Sequence, residues 1–113
     1  MTTQLALAMF LLQFVHNSPN MPVVTAPVLR YQLPPNLTPC HLTVPYKMTT
    51  SVAINVGIDG NAHGVHLAHS SGNACVDKET VEAAAHFRFA PALKETKPIP
   101  ATITLTMNTS RER

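Results

Sequence analysis

Hydrophobic residues alternate with small or polar residues throughout the segment Ser51–Ile58. Val52, Ile54, Val56 and Ile58 occupy every second position, and Ser, Ala, Asn and Gly lie between them. Successive side chains of a strand point to opposite faces of a sheet, so this alternation predicts a half-buried strand. The four hydrophobic residues are expected to face a core.

The dipeptide Asp59-Gly60 follows this strand and predicts a hairpin turn. Glycine adopts positive φ without steric cost, and Asp tolerates it better than most residues. The chain can therefore reverse and continue as a second strand through His63–His69, with Val65 and Leu67 facing inward.

A helix is predicted over Val76–Phe89, which contains neither Pro nor Gly. The polar residues 70–73 break the preceding strand, and Asn73 or Asp77 can cap the free amides at the start of the helix. Pro91 is expected to end it. The residues that fall on one face at helical spacing are Val76, Thr80, Ala83, Ala84 and Phe87.

Strict alternation returns in Ala101–Asn108 and predicts a third strand with one solvent-exposed face. The order of elements indicates an α+β fold, in which one helix packs on one face of a small antiparallel three-stranded sheet. Val28–Tyr31 and His41–Val44 are bounded by proline and rich in β-forming residues, so either can add an N-terminal edge strand. The inward set of the third strand is Ala101, Ile103, Leu105 and Met107, and the outward set is Thr102, Thr104, Thr106 and Asn108.

The composition divides the chain into four parts. Ten prolines and only 12 % charged residues are unusual for a soluble domain. Seven of the prolines lie between Asn17 and Pro45, and this density favours an extended spacer over a helix or a central strand. The predicted parts are an apolar leader or anchor remnant over 1–16, a proline-rich linker-like segment over 17–47, a domain over 48–108 and a tail over 109–113.

The apolar segment Leu5–Val15 is about half as long as the ~20 residues that a membrane-spanning helix needs. Its length fits the hydrophobic part of a signal peptide, but no Lys or Arg precedes it, and residues 16–19 make a poor cleavage site. Three interpretations stay open. The segment is an export leader or anchor remnant, it follows a start placed too far downstream, or it packs on the domain.

Charge and motifs argue against nucleic-acid binding and catalysis. Eight basic and six acidic residues give a net charge of +2, and the basic residues are scattered. Ser70 and Ser71 lack a Gly-x-Ser-x-Gly setting and recognisable base and acid partners, so they are interpreted as turn residues. We predict a protein that is not an enzyme and needs no cofactor.

Cys40 and Cys75 belong to neither a Cys-x-x-Cys motif nor a zinc-finger spacing. A disulfide between them would close a loop of about 35 residues and add roughly 2–4 kcal/mol of stability. Two unrelated buried thiols are the other interpretation, and the spacing favours neither.

Six histidines raise the question of a metal site, particularly His63, His66 and His69. In a strand, however, His63 and His69 face one way and His66 faces the other, so the three cannot converge on one ion. We predict no metal site and interpret these residues as surface histidines of a hairpin.

Taken in order, five short motifs over about 57 residues resemble the C-terminal domain family of TonB-type proteins. They are an Asp-Gly hairpin, a Ser-Ser-Gly turn, a hydrophobic-Asp pair that opens a helix, an aromatic-Arg-aromatic-x-Pro-Ala exit and a closing alternating strand. The residues that carry the motifs before that strand are Asp59, Gly60, Ser70, Ser71, Gly72, Asp77, Phe87, Phe89 and Pro91.

The resemblance implies a non-catalytic periplasmic domain, in a protein that can be attached to the inner membrane through its N-terminus. It also implies an outer-membrane receptor or another envelope protein as partner, bound by strand addition beside the terminal strand. The residues expected to bind are Ala101, Thr102, Ile103, Thr104, Leu105, Thr106 and Met107. One alternative is a structural or regulatory homodimer that pairs through the same edge and has no role in energy transduction. Another is that the proline-rich segment covers this edge.

Three positions or segments depart from the family pattern. The apolar segment is too short to span a membrane, and Pro45-Tyr46 reverses the Tyr-Pro order of the helix that usually precedes the first strand. Val76 replaces a common Leu, which is a conservative change. The first two departures concern energy transduction rather than the domain itself.

Overall fold

A computed structural model describes residues 22–113. The predicted leader over 1–16 lies outside the described residues, as does the start of the proline-rich segment. Within the described part, no helix is long and apolar enough to cross a membrane. The elements are β1 (Val24–Thr25), β2 (Val28–Tyr31), a short 3-10 turn (Thr38–Cys40), β3 (Tyr46–Val56), β4 (Ala62–His69), α1 (Ala74–Ala84), β5 (Arg88–Ala90), β6 (Ala92–Lys94), β7 (Lys97–Ile99) and β8 (Ala101–Arg111).

The central sheet contains the three predicted strands in the order β4-β3-β8, and both pairings are antiparallel. β3 and β8 pair without interruption from Tyr46–Arg111 at one end to Val56–Ala101 at the other. Both strands are longer than their alternating patterns predict, because each extends the ladder of its partner. The antiparallel sheet and its covering helix confirm the α+β prediction at this level.

Two smaller sheets make the prediction of a single small sheet incomplete. β1 and β7 flank β6, and β2 pairs with β5. Val28–Tyr31 does form a strand, but it pairs with β5 and does not add an edge to the central sheet, whereas His41–Val44 forms no strand. His41 has a φ of 50°, which is incompatible with extended pairing.

The helix α1 begins and ends earlier than predicted. The side chain of Asn73 caps it by accepting the backbone N–H groups of Cys75 at 2.9 Å and Val76 at 3.1 Å. The prediction that the helix continues to Phe89 is wrong, since Arg88–Ala90 form β5 instead. These residues leave the helix because they bond elsewhere, to β2 and to the hairpin turn.

The core lies between β3, on one side, and α1 with the segment that follows it and β5, on the other. Val52, Ile54 and Val56 are almost fully buried and pack with residues from the helix and its exit. The inward prediction is wrong for Ile58, which is 62 % exposed because β3 ends at Val56 and Ile58 enters the turn. It is also wrong for Leu67, 43 % exposed on the edge strand β4. The helix-side members of the core are Ala84, Phe87 and Phe89.

Candidate functional site

The strand β8 forms one edge of the central sheet. It pairs with β3 on one side, and among residues 22–113 no strand pairs with its other side. Half of its backbone N–H and C=O groups therefore point away from the sheet. An edge of eleven residues is long enough to template the addition of another strand.

The side chains of β8 separate onto two faces, as their alternation predicts. Ile103, Leu105 and Met107 pack against the core but stay only half-buried. The helix covers the centre of the sheet better than its edge, so an apolar strip remains partly open along β8. The exposed residues on the opposite face are Thr102, Thr104, Thr106 and Asn108.

Polar side chains join β8 to β3 across this opposite face. Thr102 donates through its hydroxyl to the Asn55 side-chain oxygen at 2.8 Å. Two further bonds, each 3.0 Å long, link Ser51 with Thr106 and Thr49 with Asn108. These bonds fix the rotamers of β8 and hold its outer edge in a regular line.

The Asp59-Gly60 turn lies at the far end of the β3–β4 hairpin. Gly60 has a φ of +83°, and its carbonyl oxygen accepts the Phe89 N–H at 2.8 Å. The Asp59 carboxylate accepts the Asn61 N–H at 3.0 Å and contacts the His63 ring nitrogen at 2.9 Å. The Asn61 N–H and then His63 lower the pKa of the Asp59 carboxyl. The turn is thus fixed by bonds on both sides.

Ser70 and Ser71 meet Asp77 at the start of α1. Asp77 is buried and accepts the Ser70 hydroxyl at 2.5 Å, the Ser71 N–H at 2.8 Å and the Ser71 hydroxyl at 2.7 Å. Burial raises the pKa of the Asp77 carboxyl, but the hydrogen bonds from Ser70 and Ser71 outweigh it, and the pKa is lowered overall. This cluster fixes the turn to the helix.

Cys40 and Cys75 are joined by a disulfide with an S–S distance of 2.06 Å. The bond ties the short 3-10 turn to the first turn of α1. The proline-rich segment is therefore attached to the domain at α1 through the disulfide, in addition to the pairing of β1 with β6 and of β2 with β5.

The histidines of β4 do not gather into one site. His63 lies beside Asp59, whereas His66 pairs with Ala53 and His69 with Ser51 on the neighbouring strand. Within the described residues, no group of three or more His, Cys, Asp or Glu side chains is placed to hold a metal ion.

Two parts of the candidate site were missed by the sequence predictions. β8 continues through Thr109–Arg111, and a groove lies beside its end, lined by residues of the 35–46 segment. The continued alternation of Thr109 and Ser110 was the available signal for the longer strand. Nothing in the proline-rich composition signalled the groove.

The comparison with family models gives one match. Residues 47–108 match the family described as Gram-negative bacterial TonB protein C-terminal, which is more than half of the chain. No curated protein matches the sequence. The match contains β4, α1 and β5–β7, together with nearly all of β3 and most of β8.

Proposed function

Because this chain belongs to the TonB C-terminal family, we propose that it binds an extended segment of a bacterial envelope protein along β8. Domains of this family are periplasmic, non-enzymatic and interact with outer-membrane receptors. In this proposal the partner contributes one strand, which runs beside Ala101–Met107 and extends the central sheet. Its natural source is a receptor or another envelope protein that presents an unpaired segment to the periplasm.

The observation that carries the proposal is the open side of β8. An added strand would bond to the backbone groups that point away from β3, so affinity would come mainly from main-chain hydrogen bonds. Each such bond replaces a bond to water, and its net contribution is about 1 kcal/mol. Several consecutive backbone hydrogen bonds are needed for measurable affinity, and the eleven residues of β8 are enough to form them.

The half-buried strip of Ile103, Leu105 and Met107 supports the same proposal. Alternate side chains of an added strand would lie beside these residues and remove their remaining apolar surface from water. The threonine face on the other side is uncharged and soluble, which lets β8 remain exposed without a partner. Specificity is thus expected from the apolar side of the added strand.

Amide hydrogen exchange, measured by NMR, tests the proposal with peptides from the periplasmic segments of candidate receptors. Alternate amides in residues 101–107, those that point away from β3, should gain protection when a peptide binds. Amides that already bond to β3 should change little. A proline-substituted version of each peptide, which lacks alternate N–H donors, is the matched control and should give no protection.

Protection confined to β4, the other edge of the central sheet, or to α1 or β5–β7 would reject β8 as the binding site. The homodimer is tested in the same samples without peptide. If alternate β8 amides become protected as the protein concentration rises, and sedimentation shows a dimer, a second copy occupies the edge. That result would replace receptor binding by the structural alternative.

A further inference from the structure

A groove of about 490 Å³ opens at the C-terminal end of β8. Its wall is built from the segment between Pro35 and Tyr46, and Arg111 closes it from the end of β8. All these residues lie outside the family match over 47–108. The family match therefore assigns no role to the groove. Its main lining residues are Leu37, His41, Leu42, Val44, Tyr46 and Arg111.

The wall of the groove is held in place from two sides. The Cys40 N–H bonds to the Leu37 carbonyl at 3.0 Å in the 3-10 turn, and the disulfide from Cys40 fixes that turn to α1. On the other side, Tyr46 pairs with Arg111 in the central sheet. The groove and the open edge of β8 thus belong to one folded unit.

Apolar walls and the guanidinium group of Arg111 give the groove its chemistry. Leu37, Leu42 and Val44 are half-buried, so each offers apolar surface to an occupant. Among the residues that line the groove, Arg111 carries the one permanent charge, which is positive. A ligand that combines an apolar side chain with a carboxylate complements both features.

We propose that the groove binds the segment that flanks the added strand of the same partner, through one apolar side chain and adjacent acidic residues. The inference rests on the proposed function, since a strand that follows β8 to its C-terminal end arrives at Arg111. The apolar side chain would lie between Leu42 and Val44, and a carboxylate would pair with the Arg111 guanidinium. The groove would then discriminate between partner segments that bind to the edge of β8 with equal affinity.

Charge complementarity disfavours a second copy of this chain as the occupant. Two identical edge strands related by a twofold axis run antiparallel, so the residues before β8 of the second copy would meet the groove. Those residues are Lys97, Pro98, Ile99 and Pro100, which carry no carboxylate. Lys97 would instead bring a positive charge toward Arg111.

Synthetic peptides test the groove separately from the edge. Each peptide carries the same strand-forming core of alternating Val and Thr, and the extension is Leu-Asp-Asp, Leu-Asn-Asn or Ser-Lys-Lys. Each extension is placed at the N-terminus in one set and at the C-terminus in another, because a strand can add to an edge in either direction. Chemical shifts of the 15N-labelled protein report on residues 101–107 and 37–46 independently.

All peptides should shift amides of β8, and Leu-Asp-Asp at the matching end should also shift residues 37–46. We expect it to bind at least about fivefold more tightly than Ser-Lys-Lys, since it adds apolar burial and removes charge repulsion. Its advantage over Leu-Asn-Asn should shrink as salt rises. Arg111→Gln should abolish that advantage, whereas Lys94→Gln, which removes an exposed cation in β6, should leave it unchanged.

Equal affinities for the three extensions, without shifts in residues 37–46, would overturn the groove and leave binding along β8 intact. Absence of any shift in residues 101–107 would overturn the proposed function, and with it the groove as a flanking site. The variant Leu42→Ser adds a check on the apolar part. It should weaken binding of both Leu-containing extensions and leave the Ser-Lys-Lys peptide unaffected.

Discussion

The backbone N–H of Phe89 bonds to the carbonyl oxygen of Gly60 at 2.8 Å, although the two residues are far apart in sequence. Next to this bond, Asn61 forms an isolated bridge with Arg88. The hairpin turn is therefore joined to the chain just after the helix. Because of this contact, we expect a substitution at Gly60 to lower the stability of the whole domain.

Gly60→Ala should destabilise the protein by at least about 2 kcal/mol. A Cβ at this position would lie only 2.1 Å from the Phe89 carbonyl oxygen, and φ is +83°. Gly72→Ala is the matched control, since Gly72 has a φ of +93° and nothing within 4 Å of the added atom. Urea unfolding should show a loss of about 1 kcal/mol for the control. Equal losses for both variants would mean that the close contact contributes nothing.

Asp77→Asn should cost about 1–3 kcal/mol, because the variant weakens the bonds from Ser70 and Ser71 to a buried carboxylate. Glu82→Gln, on an exposed position of the same helix, should have little effect. The comparison is made by chemical unfolding at neutral pH. A similar loss in both variants would indicate a general effect of negative charge on the helix.

The stability of the wild-type protein should fall in acid through the same group. The pKa of Asp77 in the folded protein is lowered from 3.8, so the unfolded chain takes up the proton first as the pH decreases. The stabilisation is complete above about pH 5 and declines as the pH falls through 3.8 toward the folded pKa. Unfolding curves between pH 7 and about pH 2 should show a smaller decline for Asp77→Asn. Parallel curves would contradict this assignment.

Thr50→Val should stabilise the protein or leave its stability unchanged, by up to about 1 kcal/mol. Thr50 is 1 % exposed, and within the described residues its hydroxyl has no hydrogen-bond partner. Thr80→Val is the control, because the Thr80 hydroxyl is equally buried but donates to the Val76 carbonyl at 2.7 Å. Thermal unfolding should rank Thr50→Val above Thr80→Val. The reverse order would show that Thr50 is satisfied in solution.

Replacing Cys40 and Cys75 together by Ser should lower the free energy of unfolding by about 3–4 kcal/mol, the value expected for a loop of this length. The disulfide spans a sequence separation of 35, so its loss frees a large part of the chain in the unfolded state. A reductant should destabilise the wild type to a similar extent and leave the double variant unaffected. If reductant acts equally on both, its effect does not come from this bond.

Much of the central unit could be predicted from local patterns. The alternation around Val52 and Ile103 predicts two strands, and the Asp59-Gly60 turn and the Asn73 cap are local features with their own backbone chemistry. The same patterns gave wrong predictions of burial where the surroundings of a side chain depend on residues distant in the sequence. Ile58 continues the alternation but lies 62 % exposed, because the strand ends two residues before it.

The sequence by itself determined the antiparallel strands β3, β4 and β8, the Asn73 cap of the helix and the family, because these depend on periodicity and on short motifs. Only the tertiary structure decided the end of the helix, the pairing of β2 with β5 and the groove beside Arg111. Short strands such as Arg88–Ala90 carry little local preference, and their stability comes from partners distant in the chain. For the same reason, only the strand order β4-β3-β8 shows that β8 lies at an edge of the central sheet.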